Sequence, residues 1–539
     1  MSESTNPFIG LTYAESLALL AARHGDREAL VFGDARYSFR DLDRESRAVA
    51  DRFHALGLRP GDKVAMWLTN RADYVFFWLG AARSGLVVSM MNTRLKRDEI
   101  AYQVRQSDSR AWIVPGPGEF RDFLEDVAGL CPEIRTMPAA SLRCEAFPEL
   151  RWVVCADTPP ASLPGVTEWA KVQAAPGQHA PDARDPDAPA LLSYSSGTTA
   201  LPKGALITHC IWRKAWDMSE RIDMTGEDCL YLTIPMFGSM ATMNGFLQFW
   251  VRGGRVVLDT HFDAERALAA IHKERCTIAH LLPVMVQRMC AHPRRADYDL
   301  RSMRVAFVLS IDVGILSAAE DDLGIPGVLT GYGMTETSTV VCRNRPDDPR
   351  DVRYRTQGVP LPGLEIRIAD PVTGADLPPD TPGEIQVRGY AITPGYYKKD
   401  AEYAKTQGPD GWFRTGDKGI ITPEGRVSFI SRLGDDYKSR GFNVSPSEIE
   451  AVLLTHPGVR EAAVVGIPHP THGFVGAAFV VASPATPSTE AELVAYMAER
   501  LASYKVPARV CYVDEFPLTE GTGKVQKFKL RERLLAGAQ

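Results

Sequence analysis

The sequence predicts an α/β chain: a large N-terminal α/β domain of several subdomains, with mixed sheets, helices and a small β subdomain, then a small α+β C-terminal domain. Three observations predict it. The chain has 539 residues, well beyond the roughly 250–300 at which a single core stops growing. Its first 115 residues alternate helical and strand-like apolar spacing. After residue 364 the pattern changes to short alternating runs between Pro/Gly turns.

The elements follow in order. Residues 38–56 predict an amphipathic helix, because Phe39, Leu42, Ala48, Val49, Phe53 and Leu56 recur near helical spacing. Leu58-Arg-Pro-Gly-Asp62 reads as a turn, 63–68 as a strand, 72–84 as an apolar helix and 86–90 as a second strand. Such alternation implies a sheet with helices on its faces. Residues 156–190, rich in Pro, Ala and Asp, read as a loop or a connection between subdomains. The runs 364–368, 383–388 and 425–430 suggest antiparallel β-structure. Ser431-Arg-Leu-Gly-Asp-Asp436 is the expected junction, dividing the chain into 1–431 and 432–539. Beyond it, 447–455 and 489–501 read as helices and 459–467 and 477–482 as strands.

Composition narrows the function class. Hydrophobic residues are 45%, charged residues 24% and net charge is −6, which gives no general pull toward nucleic acid. The longest apolar stretches, such as 74–82, fall short of the roughly 20 residues of a membrane span. Met1-Ser-Glu-Ser-Thr-Asn-Pro has no secretory pattern. Nine scattered cysteines without a C-x-x-C pair favour reduced thiols over a disulfide framework or a zinc site. A cytoplasmic enzyme is the expectation, with homodimerisation left open.

The most informative segment is Tyr194-Ser-Ser-Gly-Thr-Thr-Ala-Leu-Pro-Lys-Gly204, after apolar Ala190-Leu-Leu192. Small residues let a backbone pass close to a ligand, and successive N–H groups can cradle an anion. Lys203 adds a point charge suited to phosphate. A flexible Ser/Thr/Gly linker has the same composition. The segment resembles the signature of the adenylate-forming superfamily, which includes acyl-CoA synthetases, peptide-synthetase adenylation domains and luciferases. Ala200 stands where that family usually has Gly.

Four further motifs resemble the family's in order and approximate spacing, and the likeness covers nearly the whole chain. Gly331-Tyr-Gly-Met-Thr-Glu336 resembles Y-G-x-T-E. The resemblance implies that Gly331, Tyr332 and Gly333 border the adenine, Thr335 contacts the α-phosphate and Glu336 helps hold Mg²⁺, for which a carboxylate is a suitable hard ligand. A glycine turn with a capping Thr335 fits equally. Trp412-Phe-Arg-Thr-Gly-Asp417 resembles W-x-x-T-G-D, whose Asp takes the ribose hydroxyls, and it also suits a tight hairpin turn. Arg432 matches an element that reaches ribose or phosphate, and Gly434, with Asp435 as runner-up, falls at the family's hinge.

Lys438-Ser-Arg-Gly-Phe-Asn-Val-Ser-Pro-Ser-Glu-Ile-Glu450 resembles the family's pantetheine-lining loop, implying CoA contacts at Ser439, Arg440 and Gly441 and an active-site place for Lys438. Ser445, Pro446 and Glu448 also predict a helix start with a capping box. Pro517-Leu-Thr-Glu-Gly-Thr-Gly-Lys-Val-Gln-Lys527 resembles the last motif, implying that Lys524 and Lys203 steady the charge that develops during adenylation. A solvated basic tail is the plainer reading of that segment.

The resemblance thus implies ATP, Mg²⁺ and coenzyme A as cofactors, with Ser195, Ser196, Gly197, Thr198 and Thr199 in the phosphate loop. It implies an acyl-CoA synthetase acting on a hydrophobic acid: fatty, arylalkanoic or alicyclic and steroid-like. Phe237, Gly238 and Ser310 are the expected pocket residues. Gly238 replaces a His common in the family, and Ile311 and Asp312 replace a Gly/Ala/Pro-rich turn. Those departures motivate a non-catalytic binding homologue as one alternative. A stand-alone adenylating enzyme serving an amine or a carrier-protein thiol is another.

Overall fold

Two seven-stranded sheets carry the N-terminal part of the chain. The structure, a computed structural model, describes residues 6–195, 201–310, 313–433, 437–483, 486, 488–517, 525 and 527–536. The first sheet runs Gly327–Leu329, Val305–Val308, Ile278–Leu281, Cys229–Leu232, Arg255–Leu258, Glu28–Phe32 and Ala35–Ser38. Its pairs are parallel except the final hairpin. The second runs Val166–Glu168, Trp152–Cys155, Ser109–Val114, Lys63–Met66, Val87–Met90, Pro189–Ser195 and Lys203–Thr208, again with one antiparallel pair at the end.

The near-continuous apolar runs of these strands follow from burial on both faces. Helix Ala72–Arg83 is buried at every position but Asp73. It reads as apolar all round because it lies within one core that also takes side chains from both sheets. Gly80 lets it approach helix Phe39–Ala55, since a Cβ there would stand 2.6 Å from Cγ1 of Val49. That second helix starts where the sequence reading puts it: Ser38 caps it in a reciprocal box with Asp41.

The region 156–190 departs from the expected loop at an edge strand, at the 3₁₀ turn Trp169–Lys171 that follows it and at Pro189, where strand Pro189–Ser195 begins. Val166–Glu168 forms a three-residue edge strand parallel to Trp152–Cys155. Three residues between Pro164-Gly165 and Trp169 carry no period from which a strand can be read. The β subdomain is a four-stranded antiparallel sheet of Leu364–Ala369, Gly383–Gly389, Phe413–Ile421 and Val427–Arg432. Its last strand begins two residues late, because Gly425 takes φ 79° in the turn before it.

The small C-terminal domain is α+β. Strands Phe442–Val444, Tyr437–Ser439, Gly473–Ala482 and Val459–His469 are antiparallel, and Arg509–Tyr512 joins parallel to Gly473–Ala482. Ser445 and Pro446 start helix Pro446–Leu453 as expected, but the capping box does not form. The Glu448 carboxylate instead accepts from Lys505 Nζ at 2.7 Å, a charge-assisted bond stronger than a neutral amide can offer. Lys505 also donates to Glu99 of the large domain at 2.5 Å, and Asn92 donates to the Tyr504 hydroxyl at 2.9 Å. These bonds fasten the two domains together.

All nine cysteines are free. Cys131, Glu133 and Cys144 nonetheless bring their ligand atoms within 4.8 Å of one another, a proximity that their sequence spacing does not reveal. Among the described residues no helix is long and apolar enough to cross a membrane.

Candidate active site

The nucleotide motifs converge. Tyr332, on strand Gly331–Met334, donates its hydroxyl to Asp417 Oδ2 at 2.7 Å, with both residues buried. Its ring stacks on Phe429 at 5.9 Å. Eighty-five positions separate the two partners; the four-stranded sheet carries Asp417 to the hairpin that bears Tyr332. Asp417 lies opposite Arg432 in the ladder, so the backbones of these two predicted ribose residues are neighbours.

Gly331 and Gly333 are exposed. A Cβ at Gly333 would stand 2.0 Å from the Thr339 carbonyl oxygen, so glycine is required there by close approach. Thr335–Thr337 forms one 3₁₀ turn capped by Met334, not by Thr335, which is half-buried within it. Glu336 is buried and accepts from the Tyr396 hydroxyl at 2.9 Å, while its carbonyl accepts from the Thr393 amide. Lys203 sits over the Tyr396 ring at 5.3 Å and pairs with Glu402 at 3.5 Å. Glu336, Tyr396, Lys203 and Glu402 therefore form one connected polar group. Tyr396 and Glu402 were missed by sequence reading, because neither lies in a recognisable motif.

The strands that flank residues 196–200 are antiparallel neighbours, with Ser195 opposite Lys203. Ser196, Gly197, Thr198 and Thr199, the hinge candidates Gly434 and Asp435, and Lys524 lie outside the described residues.

The predicted CoA loop is a tight hairpin. Arg440 and Gly441 take φ 53° and 82° between strands Tyr437–Ser439 and Phe442–Val444. Two successive positive φ values are what a two-residue hairpin with right-twisted strands demands. Lys438 and Arg440 are exposed and Ser439 is buried. The hairpin lies against the large domain: Phe442 stacks on Phe237 at 6.2 Å and on Tyr504 at 4.5 Å. A Cβ at Gly441 would meet Leu282 at 2.9 Å. The structure thus joins a predicted CoA element to the predicted pocket residue Phe237.

Gly238 has φ −88° and caps the short helix Ser239–Ala241, so its backbone does not require glycine. Ser310 is half-buried at the end of strand Val305–Val308. The loop before Gly238 is held by Asn70, which accepts from the Met236 amide and donates to the Ile234 and Asp259 carbonyls. Behind it stand buried polar residues that the sequence did not flag: Asn244, Gln248, His280 and Arg343. An arginine within the apolar run Thr-Val-Val-Cys-Arg was the one visible signal.

Residues of three separate motifs, Lys203, Tyr332 with Glu336, and Asp417, are thus brought into contact with one another or with Tyr396 and Glu402. The chain matches the AMP-binding enzyme family over residues 18–397 and the AMP-binding enzyme C-terminal domain over residues 448–524. It belongs to that family, the adenylate-forming enzymes, and is an ATP-dependent, AMP-forming ligase of the acid–thiol class.

Among its relatives, the 3-[(3aS,4S,7aS)-7a-methyl-1,5-dioxo-octahydro-1H-inden-4-yl]propanoyl:CoA ligase of Rhodococcus jostii (strain RHA1) is 34% identical, covering 97% of this chain and 98% of its own. A double mutant of the Bacillus subtilis o-succinylbenzoate CoA synthetase, bound with a product analogue, superposes with a TM-score of 0.82 at 26% identity, covering 96% of this chain and 98% of its own. An amide bond synthetase of Marinactinospora thermotolerans gives 0.82 at 25% identity, covering 97% and 99%.

Proposed function

We propose that this chain joins a hydrophobic carboxylic acid, fatty, arylalkanoic or alicyclic and steroid-like, to coenzyme A in two steps. The carboxylate oxygen attacks the α-phosphorus of ATP and pyrophosphate leaves. The thiol sulfur then attacks the acyl carbonyl and AMP leaves.

Residues 195–199 cradle the phosphates, Lys203 and Lys524 steady the charge of the first step, and Thr335 holds the α-phosphate. Tyr332 flanks the adenine and Asp417 and Arg432 take the ribose. The oxygens of Glu336 suit Mg²⁺, a cation that screens phosphate charge when bound. A domain boundary at 431/432 with Gly434 or Asp435 as hinge lets the C-terminal domain present first Lys524 and then Lys438, Ser439, Arg440 and Gly441. The cytoplasm is the compartment this reading favours.

The observation that carries it is the seating of the 438–441 hairpin on the pocket, with Phe442 against Phe237 and Gly441 against Leu282. The Rhodococcus relative, named for a propanoyl chain on a bicyclic ring with two oxo groups, supports the alicyclic class. The amide bond synthetase favours a second reading, in which an amine takes the acyl group.

Pyrophosphate release from ATP should be measured with a panel of carboxylic acids, with and without CoA, and products identified by mass. An acyl-CoA product is the expected outcome. Release without thioester, and an amide when amines are added, turns the assignment to the second reading.

A further inference from the structure

The strand Thr339–Arg343 leaves the Thr335–Thr337 turn and runs along the helical stretch that follows Gly238. Two rungs join them. Thr339 Oγ1 donates to Asn244 Oδ1 at 2.5 Å, and four residues further on Arg343 Nη1 reaches Gln248 Oε1 at 3.4 Å. At a strand's rise, Arg343 stands about 13 Å beyond Thr339. It marks the buried inner end of the strand, remote from the Thr335–Thr337 turn.

That inner end is rich in donors and poor in acceptors. Arg343 is 1% exposed, its guanidinium lies 3.7 Å over the Phe307 ring, and its Nε has no partner. Among the described residues no carboxylate forms an ion pair with it. His280 is 0% exposed and packs edge-on against the same Phe307 at 5.2 Å; its ring nitrogens make no full hydrogen bond and approach the backbone of Met240. The amide nitrogen of Asn244 donates only to the Met240 sulfur at 3.2 Å, a weak acceptor.

Their surroundings are the main apolar core, where Phe307, Met240, Met243 and Leu281 pack. Burial there holds the Arg343 guanidinium down to about 9 and the His280 imidazole to about 3. A core that needed only packing would be better served by Leu or Met at both positions, because a desolvated cation without a counter-group is expensive.

We propose that Arg343, with Asn244, Gln248 and His280, forms the blind end of the acyl pocket and selects an acid whose far end carries an oxygen acceptor, either an oxo group or a second carboxylate. This inference rests on the ligase reading above and sharpens its substrate class. The reacting carboxylate stays at the Thr335–Glu336 turn. The remote oxygen accepts from Arg343 and Asn244, supplying the partner that the protein itself withholds. An acid without that oxygen leaves both donors buried and unpaired, which is how a hydrogen-bonding site rejects an analogue.

The test compares octanoic, 7-oxo-octanoic and octanedioic acids, and the corresponding ten-carbon acids, by pyrophosphate release from ATP. The wild-type chain should favour an oxygenated acid over the plain one on the order of 100-fold in kcat/KM. Whichever oxygenated acid leads identifies the acceptor. Arg343→Leu should erase or invert that preference without lowering Tm, since it removes an uncompensated buried charge. Should that variant fail to fold, Asn244→Leu and the wild-type profile carry the test. Preference of the wild-type chain for plain acids, or an unchanged preference in the variants, overturns the inference and leaves the ligase reading intact. Bound ATP with no pyrophosphate from any acid removes the ligase reading and this inference with it.

Discussion

The proposed nucleotide side and the proposed acyl side share one β-hairpin, yet they are built differently. On strand Gly331–Met334 and the turn after it, polar groups find protein partners: Tyr332 with Asp417, Glu336 with Tyr396. On the return strand, Arg343 opposite Gly331 has a long contact to Gln248 and the face of Phe307, and among the described residues no carboxylate. On the proposed reading the first side holds the nucleotide, and its groups are mutually oriented in advance. The second side would meet the acid, and its donors are left for that ligand to satisfy.

Removing a partner on the nucleotide side should cost most. Asp417→Ala deletes the acceptor of the Tyr332 hydroxyl and the proposed ribose ligand together. KM for ATP should rise on the order of 100-fold, with CoA saturation little changed, as charged hydrogen bonds of about 1.5–3 kcal/mol imply. A variant with normal ATP dependence would show that the Tyr332–Asp417 bond is structural only.

The domain contact is expected to rank next. Lys505 is 5% exposed between Glu99 and Glu448, each 8% exposed. Lys505→Ala leaves two buried carboxylates facing each other, at a cost of roughly 3 kcal/mol to the docked arrangement. Pyrophosphate release should survive better than thioester formation, because the 438–441 hairpin depends on that docking. Equal losses in both steps would locate the effect in overall folding instead.

A smaller effect separates the acyl wall in pH. Burial keeps the His280 ring neutral in the folded chain down to about 3, against 6.5 for an exposed imidazole. Between those values the unfolded state binds the extra proton, so stability is present above pH 6.5 and is lost as pH falls toward 3. His280→Leu should flatten that acid arm by about one proton in the pH dependence of denaturant unfolding. His209, held near 4 by burial, keeps part of the slope in place. An unchanged slope would mean that the His280 ring is hydrated in solution.

Local elements were legible wherever a period ran long enough. The helix Phe39–Ala55 announces itself through its apolar stripe and its Ser38 cap. The edge strand Val166–Glu168 does not, because three residues show no period. Glu448 misled in a different way: its spacing from Ser445 fits a cap, and only the approach of Lys505, 57 positions away, redirects it. Tyr332, Glu336, Asp417 and Lys203 could be singled out as candidates because each lies in a short contiguous motif. Asn244, His280 and Arg343 could not, since each sits in an apolar segment of its own.

The sequence by itself determined the alternation of helix and strand, the two-part architecture, the family and the short motifs that supply the candidate nucleotide residues. Those properties depend on neighbours along the chain and on backbone geometry within a few positions. Tertiary structure alone decided that Tyr332 meets Asp417, that the 438–441 hairpin seats on Phe237, and that the Arg343 guanidinium is buried over Phe307 with no carboxylate beside it among the described residues. Those outcomes depend on burial and on long-range register, and a cation's cost or use is settled only by what the fold brings beside it.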